Sequence, residues 1–268
     1  MTLTDDRRTL AADWQRWHDE REETLREPHG WLALTALEWL DETPRALADL
    51  PGTWRAPGDG TVEIAASAAD GIEVDGERVD GTRAVHPVDG APGVLVTVGE
   101  RVVELARRTD SYALRVRDPQ AATRTAFRGV PHFAVDVRWV RTGRFEPYEA
   151  PQRITVGAVV DGLAHFPTAV GTVTFDLDGR EHRLVALAGK GGGLTLHFHD
   201  ATNATSTYGG GRILRTADPD GDGALVVDLN RTVNLPCAFT AFATCPLPPA
   251  DNVLDVAVEA GEKRPDPA

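Results

Sequence analysis

Thiols, guanidinium groups, carboxylates, amides and prolines crowd one stretch near the C-terminal end of the chain, Asp228-Leu-Asn-Arg-Thr-Val-Asn-Leu-Pro-Cys-Ala-Phe-Thr-Ala-Phe-Ala-Thr-Cys-Pro-Leu-Pro-Pro249. Both cysteines of the protein, Cys237 and Cys245, lie in it. A thiol becomes a nucleophile when a nearby cation lowers its pKa, and Arg231 precedes Cys237 by six residues. The same thiol also suits a small buried apolar position, the common use of a cysteine outside a disulfide. The spacing of the two cysteines matches neither a Cys-x-x-Cys redox pair nor a zinc ribbon. Pro236, Pro246, Pro248 and Pro249 fix their own φ and extend the residues before them, so the loop between the cysteines is clamped at both ends.

Upstream, Asp200-Ala-Thr-Asn-Ala-Thr-Ser-Thr-Tyr-Gly-Gly-Gly-Arg212 adds a polar loop, Tyr208 and Arg212. Asp228 and Asn230 alternate onto one side of an extended run, where they could meet Arg212 on a neighbouring strand. An Asp/Arg pair inside a β framework is either a satisfied internal network or the wall of a polar pocket. In a pocket, the forked guanidinium of Arg212 or Arg231 would hold an anionic group. Asp228 would orient that arginine or act as general base, Tyr208 would donate a hydrogen bond, and Cys237 would be the nucleophile.

Three further motifs have bland readings beside sharp ones. Asp218-Pro-Asp220-Gly-Asp222-Gly223 starts like a calcium loop, but its twelfth position is Leu229 rather than a bidentate Glu, and a polar hairpin turn is expected. Gly189-Lys-Gly-Gly-Gly193 lacks the Ser or Thr of a phosphate loop and reads as a turn. His197 and His199 share one strand face and with Cys237 and Cys245 could make a four-ligand zinc set, or simply a polar strand face. No metal site is assigned, and no cofactor is identified.

These residues must be positioned by strands. From about residue 50, apolar residues alternate in short runs such as Ile72-Glu-Val74, Val94-Leu-Val-Thr-Val98, Tyr112-Ala-Leu-Arg-Val-Arg117, His182-Arg-Leu-Val-Ala-Leu187 and Ala224-Leu-Val-Val-Asp-Leu229. A further strand is expected over Ala134-Val140. Asp75-Gly76 and Asp178-Gly179 read as hairpin tips. The pattern predicts a mainly β protein, an antiparallel sandwich or barrel-like body with an N-terminal helical segment. Residues 4–26 read as one amphipathic helix, capped by Thr4 or Asp5, with Leu10, Trp14, Trp17 and Leu25 on one stripe and Arg21 between them. Trp31-Leu-Ala-Leu-Thr-Ala-Leu-Glu-Trp-Leu40 reads as a second, shorter helix. The expected division is a helical clasp over 1–45, a first β region over 46–150, and a second over 151–268 that carries the C-terminal stretch; the two β regions could form one continuous domain.

At 268 residues with 41% hydrophobic and 26% charged residues the composition is that of a globular protein, and its net charge of -13 repels phosphate backbones and anionic lipid. Nucleic acid and membrane are therefore not expected partners. The apolar run Trp31–Leu40 is far shorter than the roughly 20 residues of a membrane helix. Without a recognisable secretory signal, a cytoplasmic location is expected. Basic residues are almost all Arg, with Lys only at 190 and 263, a bias that suggests a GC-rich bacterial genome.

The sequence resembles the uncharacterised bacterial family named domain of unknown function 1684. The resemblance runs through Gly30-Trp-Leu-Ala-Leu, Trp39-Leu40, Leu114-Arg-Val-Arg-Asp118 and Gly171-Thr-Val-Thr-Phe175. It is densest in Asp200-Ala-Thr, Thr207-Tyr-Gly-Gly-Gly-Arg212, the Asp228–Pro249 stretch and Ala260-Gly-Glu-Lys263. Two departures stand out: Asn234-Leu-Pro-Cys237 where the family shows Asn-Pro-Pro-Cys, and His197 and His199 where it shows a non-His pair. The resemblance implies that Tyr208, Arg212, Asp228, Asn230, Arg231, Asn234, Cys237, Thr240, Cys245, Asn252, Glu259, Glu262 and Lys263 form one motif set. It brings no reaction with it. The expectation is a pocket for a small polar or anionic metabolite, with Cys237, Asp228 and Tyr208 as candidate catalytic groups. Arg212, Asn230, Arg231, Asn234, Thr240, Cys245, Glu262 and Lys263 are candidate ligand contacts. The alternative is a non-enzymatic structural or protein-interaction module in which the same signature is a folding clasp.

Overall fold

The structure, a computed structural model, describes residues 3–265. It is mostly β, with antiparallel sheets, one of them curled into a half-barrel, and one N-terminal helix. The helix spans Leu3–Leu25. The side chains of residues 3–7, among them the expected caps Thr4 and Asp5, lie outside the described residues. The expected stripe is present: Trp14 and Leu25 are buried, Leu10, Trp17 and Arg21 are half-buried, and His18 joins them as a buried residue. The described residues group into two compact units, residues 24–127 and residues 3–23 with 128–265.

In the unit of residues 24–127, a six-stranded sheet runs in the order Leu34–Leu40, Ser111–Arg117, Arg101–Arg108, Val94–Val98, Ile72–Val74, Glu77–Arg78. A four-stranded sheet follows the order Arg45–Leu47, Leu50–Arg55, Val62–Ala66, Gly81–Val85. Val62, Ile64 and Trp54 from the smaller sheet join Val96, Val103, Leu105 and Leu114 from the larger in one apolar core. The Trp31–Leu40 segment is not the expected helix: a 3-10 turn over Trp31–Ala33 leads into the strand Leu34–Leu40, which pairs antiparallel with Tyr112–Arg117. Leu, Ala and Glu favour helix locally, but a ladder with a distant strand satisfies this backbone and overrides the preference.

In the other unit, the sheet order is Ala224–Asp228, Val140–Arg153, Thr168–Leu177, Arg180–Ala188, Leu194–Asp200, Arg212–Thr216, Val233–Asn234. Val253–Leu254 adds a short parallel pair to Leu194–Asp200. Val173, Phe175 and Leu177, Leu184 and Ala186, and Leu194, Leu196 and Phe198 recur every second residue and fill the core, as half-buried strands require. The expected strand over Ala134–Val140 instead begins at Val140, after a 3-10 turn over Val137–Trp139 that Asp136 caps. The 217–223 turn is not a hairpin tip. It joins Arg212–Thr216 to Ala224–Asp228, strands that are not neighbours in the sheet, and the Asp220 carboxylate closes it by accepting the N–H groups of Asp222 and Ala224. At the two Asp-Gly tips, Asp75, Gly76, Asp178 and Gly179 all have φ between 53° and 78°, the left-handed pair that a two-residue hairpin turn demands. No helix of the described residues is long and apolar enough to cross a membrane.

Candidate functional site

The strand Arg212–Thr216 alternates, so Arg212 and Leu214 point to the same inner side, and Arg212 is 0% exposed. Its Nη2 donates to Asp200 Oδ2 at 2.8 Å and to the Val258 carbonyl at 2.8 Å. Its Nη1 donates to the carbonyls of Ala260 at 2.6 Å and Glu262 at 3.0 Å. Burial pulls the Arg212 pKa below its ordinary value, while the charge and hydrogen bond of Asp200 oppose the shift. Asp200 is itself satisfied: its Oδ1 accepts from the Thr202 amide and hydroxyl and from the Val258 amide. One guanidinium thereby gathers three carbonyls of the 258–262 segment. The expected partner Asp228 is corrected: Arg212 meets Asp200 instead, and its terminal nitrogens are engaged inside the protein.

Glu262 and Asn234 continue this clamp. Glu262 is 1% exposed; its Oε1 accepts from Arg21 Nε at 3.0 Å and its Oε2 from the Asn234 amide at 2.7 Å. Arg21 Nη2 also donates to the Asn234 carbonyl, and Asn234 Nδ2 donates to the Lys263 carbonyl. Lys263 Nζ sits 4.7 Å from the centre of the Phe133 ring, a cation–π contact. Gly261 has φ 72°, and a Cβ there would lie 2.3 Å from the Thr232 carbonyl oxygen, so only glycine permits the close approach.

A second cluster forms where Ala224–Asp228 ends. Asp228 caps the 3-10 turn Leu229–Arg231: its Oδ1 accepts from the Asn230 amide and side chain, and its Oδ2 lies 3.3 Å from Arg231 Nε. Arg231 also pairs with Asp13 and lies over the Trp17 ring. The Asn230 side chain exchanges two hydrogen bonds with the Asp136 backbone, amide to Oδ1 and Nδ2 to carbonyl. Asn252 does the same with Val185 and donates a further bond to the His197 carbonyl. Each asparagine thus acts as a strand-like partner where no strand runs.

The third cluster is the thiol loop. Pro236 starts a 3-10 turn over Pro236–Ala238, with Cys237 half-buried and Cys245 7% exposed. The Cys237 amide donates to Cys245 Sγ at 3.2 Å and the Cys245 amide donates to Cys237 Sγ at 3.1 Å. The Cys237 thiol donates to the Ala243 carbonyl at 3.3 Å. Tyr208 is near enough to feel both sulfurs: burial first, and then the negative charge either thiol would carry, push its phenol up to about 12. Thr240 Oγ1 accepts from the Phe242 amide and holds the loop's turn. His165 Nε2 lies 2.5 Å from the Thr244 carbonyl, beside Cys245. Burial, and secondarily the like charge of His199, push His197 down to about 4. Among the described residues no group of three or more His, Cys, Asp or Glu side chains gathers as a metal would need.

The hydrogen bonds of the expected residues group them into three clusters. Arg212, Asn234 and Glu262 form the clamp with Lys263 alongside; Asp228, Asn230 and Arg231 form the cap; and Cys237, Cys245, Tyr208 and Thr240 form the thiol loop. Asp200, Arg21 and Thr202 complete the clamp and were not among the candidates. The Asp-Ala-Thr run at 200–202 carried the signal, since an Asp two residues before a Thr is a self-capping turn.

A mainly antiparallel β protein whose C-terminal stretch is tied down by a buried arginine is the class these features define. The chain belongs to the family described as Protein of unknown function (DUF1684), whose model matches residues 125–263. Among solved structures it is similar to the solution NMR structure of an uncharacterised protein from gene locus rrnAC0354 of Haloarcula marismortui. The identity is 31%, over 52% of this chain and 78% of that one, with a TM-score of 0.44. No curated protein matches the chain.

Proposed function

We propose that this chain is a non-enzymatic structural or protein-interaction module whose C-terminal signature is a folding clasp. The observation that carries the reading is the engagement of Arg212 by Asp200 and three carbonyls of residues 258–262 at zero exposure. An arginine that recognises a ligand keeps a path to it; this one has both terminal nitrogens bonded within the fold and its Nε buried. Asn230, Asn234 and Asn252 use their amides on backbone groups in the same manner. The reading keeps the protein away from nucleic acid and anionic lipid, in keeping with a net charge of -13, and the cytoplasm is its proposed location.

Denaturant unfolding of Arg212→Ala and Arg231→Ala tests it. The first variant leaves Asp200 buried and unpaired and should lose about 3–5 kcal/mol or fail to fold. The second removes a half-exposed pair and should stay within about 1 kcal/mol of wild type. An Arg212→Ala protein as stable as wild type ends the clasp reading. A small polar or anionic ligand at the thiol loop is a second reading, favoured by the partial exposure of Tyr208, Cys237 and Thr240. Calorimetric titration with phosphate and short dicarboxylates should then give heats that Tyr208→Phe abolishes; flat titrations of the wild-type chain reject it.

A further inference from the structure

We propose that Cys237 and Cys245 are a dithiol site that reacts with small-molecule disulfides, Cys237 attacking and Cys245 resolving, to close an intrachain disulfide. This goes beyond either reading above, since neither includes a bond between the two thiols. The geometric support is the reciprocal pair of amide–sulfur bonds, Cys237 N to Cys245 Sγ at 3.2 Å and Cys245 N to Cys237 Sγ at 3.1 Å. Each sulfur is within hydrogen-bond reach of the other residue's backbone, so the two sulfurs occupy one small volume, as a disulfide requires.

Both ends of the loop are held in place. Ala238 and Phe239 amides bond back to the Leu235 and Pro236 carbonyls around Cys237. The Cys245 carbonyl accepts from the Val159 amide, and the Leu247 amide donates to the Gly157 carbonyl. Little backbone entropy remains to be lost when the bond forms. Exposure assigns the order: Cys237 is half-buried and meets the incoming disulfide, while Cys245 at 7% exposure is shielded from it.

The steps balance. The Cys237 thiolate attacks one sulfur of the small disulfide, the S–S bond of that molecule breaks, and its second half leaves as a thiolate that takes up the proton Cys237 released. The Cys245 thiolate then attacks Cys237 Sγ, the mixed disulfide breaks, and the remaining half leaves as a thiolate that takes the proton from Cys245. Two protein thiols are oxidised by two electrons, and one disulfide is reduced to two thiols.

The test uses the full chain, which has only these two cysteines, treated with hydroxyethyl disulfide under native conditions and followed by intact mass. The wild type should lose two hydrogen masses with no lasting adduct. Cys245→Ser should accumulate one hydroxyethylthio adduct on Cys237, and Cys237→Ser should react at least about tenfold more slowly, as a shielded thiol does. A stable adduct on the wild type, equal rates for the two variants, or reaction only after denaturation overturns the proposal. If a serine variant fails to fold, the wild type decides alone in graded mixtures of hydroxyethyl disulfide and mercaptoethanol. Closure with an unchanged circular dichroism spectrum is expected, and closure only with loss of that spectrum refutes it.

Discussion

The two compact units bury different chemistry. In residues 24–127, Trp54, Ile64, Ile72, Leu105 and Leu114 anchor an almost wholly apolar core, and Thr61 and Arg115 are the buried polar residues described there. All the other buried polar and charged side chains described, from His18 to Glu262, belong to residues 3–23 and 128–265. An apolar core asks mainly for volume and shape, and several residues can satisfy it. A buried polar lattice asks for particular donors and acceptors, and few substitutions keep every group paired. The family match over residues 125–263 falls almost entirely in the second kind of unit.

Substitutions should expose that contrast. Asp200→Ala strands the Arg212 charge in the interior and should cost about 3–5 kcal/mol in urea unfolding; a loss near zero would erase the distinction between the units. Stability should also depend on pH through His197. Its folded pKa is depressed to about 4 from the ordinary 6.5, so between those values the unfolded state binds more protons. The stabilisation is complete above pH 6.5, falls as pH drops through the window, and is flat below about 4, a change of up to about 3 kcal/mol. Burial lowers the pKa of His18 as well, in the same sense. His197→Phe should therefore flatten, but not abolish, the pH slope of the melting temperature.

Asn252→Ala leaves Val185 and His197 backbone groups without their side-chain partner, and a loss of about 2–3 kcal/mol by thermal unfolding is expected. Leu114→Met in the apolar core keeps volume and should lose less than about 1.5 kcal/mol by the same measurement; a larger loss there than at Asn252 would reverse the comparison. Smallest of all, Arg180→Ala breaks an exposed pair with Asp255 and should move stability by no more than about 1 kcal/mol, an effect that added salt hides.

Much of the fold was legible because it is written in local periods. The helix stripe at Trp14, Trp17 and Leu25, the run Val94–Val98 and the two Asp-Gly tips were read from spacing and appear in place. What failed depended on partners far along the chain. Leu34–Leu40 took its form from Tyr112–Arg117. The long strand Val140–Arg153 was hidden by Pro147 and Pro151, residues that argue against a central strand; the ladder tolerates them with a register shift between Pro147 and Gln152. The signature residues were visible as a set, but not their pairings. Arg212 was expected to meet Asp228, and the sheet order, which puts Leu194–Asp200 beside Arg212–Thr216, gives it Asp200 instead. The reciprocity of the two cysteines was equally invisible, since it comes from the path of the loop rather than from its composition.

The hold of one guanidinium on residues 258, 260 and 262 fixes a sequence of events during synthesis. Strands from Val140 onward can begin to pair as they leave the ribosome, but Arg212 has no carbonyls to grip until the last stretch emerges. Trp14 and Arg21, made first, wait for Asn230 and Glu262, a delay of roughly tens of seconds at ordinary elongation rates. Until then Arg212 has only Asp200 to hold, and the helix face at Trp14 and Arg21 waits without its partners.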